Sequence, residues 1–197
     1  MKISPLIFLF FTSYLFSQES IDSIVIRKTN ELESSGIKNY FYFETYCVGS
    51  IRIHKPFEID CSIDDSKIYV FWRNKNDNFV QQLSDCKTSK VEIPNEILDF
   101  YLVNKSRIQT QKVEKYKIRK DSIANGKKYS FVKDVSHSCF SRFHFYNSQL
   151  YLKNVIDEFD LTNEDNEPNI NYQSNNKLKI VELAKLCENI LKQKNIN

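Results

Sequence analysis

Residues 139–156 read CFSRFHFYNSQLYLKNVI, and their alternation decides the fold. If Asn147-Ser148 is a two-residue turn, Phe145 lies opposite Leu150, Phe143 opposite Leu152 and Cys139 opposite Ile156, all on one face. The other face then carries His144 opposite Tyr151 and Arg142 opposite Lys153. Side chains alternate across a strand, so a slip of one residue would turn the whole apolar set to solvent. This is an antiparallel hairpin with one buried side.

The same period recurs upstream. From Phe41, the set Phe41, Phe43, Thr45, Cys47 alternates with Tyr42, Glu44, Tyr46, Val48, and after Lys55-Pro56 it resumes as Phe57, Ile59, Cys61, Ile63. Ile68, Val70 and Trp72 share a face in a further strand, which the polar run 74–78 turns into Phe79 to Leu83. Val113 to Ser122 and Lys128 to Val135 flank Asn125-Gly126, a strong signal for a tight hairpin.

Three helices accompany the strands. Ile21, Ile24, Val25, Lys28 and Leu32 fall at helical spacing behind Ser20, and Gly36 stands where a left-handed residue ends a helix. Pro94 opens a mid-chain helix through Ile97, Leu98, Tyr101 and Leu102. The last runs from about Lys177 to Lys194, with Ile180, Leu183, Ala184, Cys187, Ile190 and Leu191 as its apolar stripe. The expected fold is α+β: a single antiparallel, meander-like sheet with an N-terminal, a mid-chain and a C-terminal helix. Residues 161–177 are polar and without apolar period, and no repeat or linker divides the chain.

Residues 1–17 read as a signal peptide. Lys2 precedes an uncharged apolar run that ends at Ser17-Gln18-Glu19, and the run is too short and too interrupted to span hydrocarbon, which takes about 20 apolar residues. An exported protein of the periplasm or exterior follows, not integral to the membrane once cleaved, with residues 18–197 forming one domain. Removal of residues 1–17 from the 197 leaves 180, enough to bury roughly 70% of the unfolded surface. With 41% hydrophobic and 14% aromatic residues the chain is not of disordered composition.

In an oxidising compartment five cysteines leave at least one thiol over. Cys47 and Cys61 face inward on neighbouring strands and are expected to pair, as are Cys86 and Cys139. Cys187, on the apolar stripe of the last helix, is expected to stay a buried, inert thiol.

Chemistry is sparse. No nucleophile elbow, zinc-protease helix, phosphate-cradling glycine loop or dinucleotide fingerprint occurs, so neither a cofactor nor a catalytic set is expected. His137, Cys139 and His144 have metal-ligand chemistry, but strand parity sends His144 to the opposite face from the other two. Asn163, Asp165 and Glu167 alternate like cation ligands, yet lack the glycine and terminal glutamate of a calcium loop.

One asymmetry remains. Residues 105–133 hold ten basic residues against two acidic ones, centred on Lys112, Lys115, Lys117, Arg119, Lys127 and Lys128. Val113, Lys115, Lys117 and Arg119 are expected to share a hairpin face, with Tyr116 and Ile118 on the other. Such a surface attracts an anionic envelope polymer or an acidic protein patch within about 8 Å at physiological salt. Export disfavours nucleic acid. The acidic residues between Asp157 and Glu167 are the natural intramolecular competitor for these cations. The expected function is non-enzymatic binding through this hairpin; the alternative is a hydrolase assembled around His54, His137 or His144.

Overall fold

The computed structural model describes residues 21–49, 66–84, 88–147 and 150–196. The apolar leader, the strand expected around Phe57, His54, Cys61 and Cys86 lie outside the described residues.

Helix α1 (Ile21–Ser34) ends as its glycine requires. Gly36 has φ 75°, Ile37 N–H donates to the Leu32 carbonyl and Gly36 N–H to that of Glu33, both at 2.9 Å. That left-handed closure satisfies two carbonyls that the helix leaves orphaned. Strands β1 (Tyr40–Val48), β2 (Lys67–Asn74) and β3 (Asp77–Leu83) follow, then a short β4 (Val91–Ile93) that the sequence did not announce. Helix α2 (Glu96–Thr110) leads to the small strands β5 (Ser122–Ala124) and β6 (Lys127–Tyr129). Next come β7 (Ser138–Asn147), β8 (Leu150–Asp157), a 3-10 turn at Glu158–Leu161, the one-turn α3 (Tyr172–Asn175) and α4 (Lys179–Gln193).

Six strands form one antiparallel sheet in the order β4-β3-β2-β1-β7-β8, while β5 and β6 form a separate ribbon. The α+β architecture with three long helices is thus the one expected. Two local meanders meet at the β1–β7 seam, where Phe43 lies opposite Phe143 and Cys47 opposite Cys139. Phe41, Phe43, Phe71 and Phe143 pack on one face with Leu98, Tyr101 and the α4 stripe that includes Cys187. On the other face α1 covers Tyr42, Ile68, Val70 and Trp72. The central strand β2 is therefore buried on both sides. No helix of the described residues is long and apolar enough to cross a membrane.

The β7–β8 hairpin keeps the expected faces but is displaced by two residues: Phe145 pairs with Leu152, His144 with Lys153, Arg142 with Val155 and Ser141 with Ile156. An even displacement preserves every face, so the apolar pattern is blind to it. The observed register stacks Tyr146 on Tyr151 at 4.7 Å. It also brings Asn154 Nδ2 to the Ile108 and Gln109 carbonyls of the last turn of α2, at 3.0 and 3.2 Å.

The cysteine scheme is corrected. Cys47 is bonded to Cys139, 92 residues away, in place of the bridges Cys47–Cys61 and Cys86–Cys139. Strands that follow one another in sequence are not neighbours at this position: the strand beside β1 at Cys47 is β7. Cys187 is a buried free thiol, as expected, and burial pushes its pKa well up, which disfavours the reactive thiolate.

Candidate binding surface

The basic segment becomes an arm with a neutralised root and a cationic tip. Tyr116 is fully buried at the root and its ring stacks on Phe159 at 4.8 Å. Its N–H donates to Asp160 Oδ1 at 2.8 Å and its hydroxyl donates to the Glu167 carbonyl at 2.6 Å. Asparagine side chains complete the attachment by imitating a neighbouring strand. Asn175 Oδ1 accepts from Glu114 N–H at 3.0 Å while its Nδ2 donates to the Glu114 carbonyl at 2.7 Å. Asn171 Nδ2 donates to the Lys115 carbonyl at 2.9 Å. The aperiodic stretch 161–177 is thus a bracket for the arm, and its asparagines satisfy backbone groups that no strand reaches.

Carboxylates of the bracket and of the turn that precedes it neutralise two of the root's lysines. Lys115 Nζ lies 3.4 Å from Asp157 and 3.3 Å from Asp160. Burial pushes its ammonium pKa down, but the two carboxylates outweigh that and the net shift is upward. Lys133 reaches Glu164 at 2.7 Å and Glu167 at 2.6 Å, and these bonds hold its ammonium well above the usual lysine range, Glu164 first. Burial raises the Asp160 carboxyl, partly offset by the Tyr116 N–H and Lys115. Replacement of Asp160 by Ala is expected to cost about 1–3 kcal/mol, because it leaves a buried N–H unsatisfied. Urea unfolding measures the loss, and limited proteolysis at the lysines of 117–128 should become faster than in the parent.

Beyond the root the ladder is interrupted. Lys117 bridges Val132 and Ser122 pairs with Tyr129, so four residues, 118–121, stand against two, 130 and 131. The regular face expected from Val113 to Arg119 stops there. Lys117 Nζ turns back to Asp121 at 3.0 Å, and Lys128 approaches the same carboxylate at 3.3 Å. Asp121 is held below the usual aspartate range, chiefly by its bonds to Lys117 and Ser130. The Arg119 guanidinium lies 3.6 Å over the Phe131 ring. At the apex Asn125 and Gly126 take φ 51° and 70°, the mirror-image turn the pair foretold. All six residues of β5 and β6 are exposed. From Lys117 to Lys128 five cations face one carboxylate, Asp121. Lys112, Lys120 and Lys127 have no ion pair among the described residues. The binding set foreseen from sequence is therefore split: Lys115 belongs to the root, Lys112 to its entrance, and Lys117, Arg119, Lys127 and Lys128 to the outer arm.

The histidines fall elsewhere. His137 Nδ1 and Ser136 Oγ are 2.8 Å apart on the surface. His144, 1% exposed, bonds through Nε2 to Glu44 Oε2 at 2.8 Å and through Nδ1 to the Tyr151 hydroxyl at 2.7 Å. Arg142 Nη1 lies 3.1 Å from both Glu44 oxygens, and Nη2 donates to the Tyr46 hydroxyl at 2.6 Å. Burial alone would raise the Glu44 carboxyl, but the His144 bond and the Arg142 charge prevail and hold it low. Every oxygen of that carboxylate is engaged. One cleft lies between α1 and the end of β3 and is lined by Lys28, Glu31, Gln81 and Thr88. A second, of about 330 Å³, lies between β7 and α4 and is lined by Ser141, Glu158, Lys185 and Glu188. No histidine lines either of these two clefts.

No family model, curated protein or solved structure matches the chain.

Proposed function

We propose that this protein is an exported, non-enzymatic binding domain whose contact surface is the outer arm between Lys117 and Lys128, directed at an anionic partner in the cell envelope. The observation that carries the reading is selective neutralisation: Asp157, Asp160, Glu164 and Glu167 engage Lys115 and Lys133 and leave the tip with an excess of four positive charges. Cations in excess of their intramolecular counter-ions are available to an external polyanion at short range. Export is supported by the leader sequence and is compatible with the Cys47–Cys139 bridge.

Heparin, an anionic polymer, serves as the probe for protein recovered from the export compartment. Its affinity should fall roughly a hundredfold between about 50 and 200 mM salt if about four charges are neutralised. The combined variant Arg119→Gln, Lys120→Gln, Lys127→Gln, Lys128→Gln should lose most of the low-salt binding. Salt-indifferent retention, or an unchanged variant, overturns the reading.

A further inference from the structure

We infer that the partner of this arm is an anionic phospholipid surface, into which the hairpin apex inserts Ile123; this rests on the reading of the arm as a binding surface and names its partner. Ile123 is 79% exposed, two residues before the apical Asn125-Gly126, on a ribbon that pairs with no other strand. Lys128 lies directly opposite it, Lys127 opposite Ala124, and Tyr129, also exposed, opposite Ser122. Charge alone explains the lysines but not an isoleucine held in water at the tip. A glycan or an acidic protein patch offers anions to the lysines without a hydrocarbon phase for Ile123. A bilayer supplies both: acyl chains for Ile123, phosphates for Arg119, Lys120, Lys127 and Lys128 at the level of the headgroups, and an interface suited to the amphipathic ring of Tyr129. One inserted side chain and a few cations give reversible peripheral attachment rather than anchoring.

The test uses exported protein with the leader removed and sedimentation with vesicles of phosphatidylcholine, alone or mixed with phosphatidylglycerol. Binding should require phosphatidylglycerol. Ile123→Ser should weaken it roughly tenfold while leaving heparin affinity unchanged. Val103→Ser, at an 85% exposed position on α2, should change neither. Heparin binding without vesicle binding overturns the lipid assignment and leaves the binding role standing. Equal losses for Ile123→Ser and Val103→Ser, or none for Ile123→Ser, overturn insertion. Failure to bind either probe sinks both readings.

Discussion

Replacement of both Cys47 and Cys139 by Ser is expected to lower the unfolding free energy by about 4–5 kcal/mol, the entropy recovered by an unfolded chain released from a closed loop of this size. The bridge links residues 92 apart and sits at the end of the β1–β7 seam, beside the Tyr46–Phe140 pair. The 18 residues between β1 and β2 are the longest connection within either flanking set of strands, whereas the seam joins strands whose intervening chain includes α2 and the arm. Its loop-closure cost is therefore the largest in the sheet. Urea unfolding of the parent and the double variant, each without reductant, measures the difference. A loss below about 1 kcal/mol would mean that the seam does not depend on the bond. Non-reducing peptide mapping after thiol blocking should recover Cys47 joined to Cys139 and Cys187 as a blocked thiol. Recovery of Cys47 with Cys61, or of Cys86 with Cys139, would refute the connectivity directly.

Glu44→Ala should cost about 3–5 kcal/mol, because it strands the charge of Arg142 and the ring of His144 without their buried partner. Glu31→Ala, which breaks the exposed Lys28–Glu31 pair, should stay within about 1 kcal/mol. The contrast lies in solvation. Glu44 is 1% exposed, so water cannot take over the bonds it gives up. pH supplies a second signature. The folded protein holds the Glu44 carboxyl below its ordinary value, so its contribution is complete above the unfolded glutamate pKa, about 4.3. That contribution is lost as pH falls through the lower folded value. Glu158, Asp160 and Glu188 act with the opposite sign, since burial raises each of them. The Glu44 contribution is therefore read as the stability of the parent minus that of Glu44→Gln, which should shrink below about pH 4. A difference that stays constant from neutral pH to pH 2 would contradict the low folded pKa.

Local chemistry was legible wherever one residue or one period carried it. Gly36 ended α1 because the chain needs a positive φ there. Asn125-Gly126 set the apical turn of the arm for the same reason, and the stripe from Ile180 to Leu191 gave α4 its buried side. Period-two alternation assigned Phe143 and Phe145 to one face and Arg142 and His144 to the other, where Glu44 also lies. The basic excess of the arm was visible as charge. Partner choice was not visible, because alternation names the face of a residue but neither the strand beside it nor an even displacement along that strand. Only the folded sheet put β1 against β7, and with that came the Cys47–Cys139 bond and the Glu44–Arg142–His144 cluster. The division of the arm was likewise a tertiary outcome. Asp157, Asp160, Glu164 and Glu167 engage Lys115 and Lys133 because the asparagine bracket and buried Tyr116 hold the root beside them, while the tip extends past their reach. Charge is written residue by residue in the sequence; which charges meet depends on distances that packing alone sets.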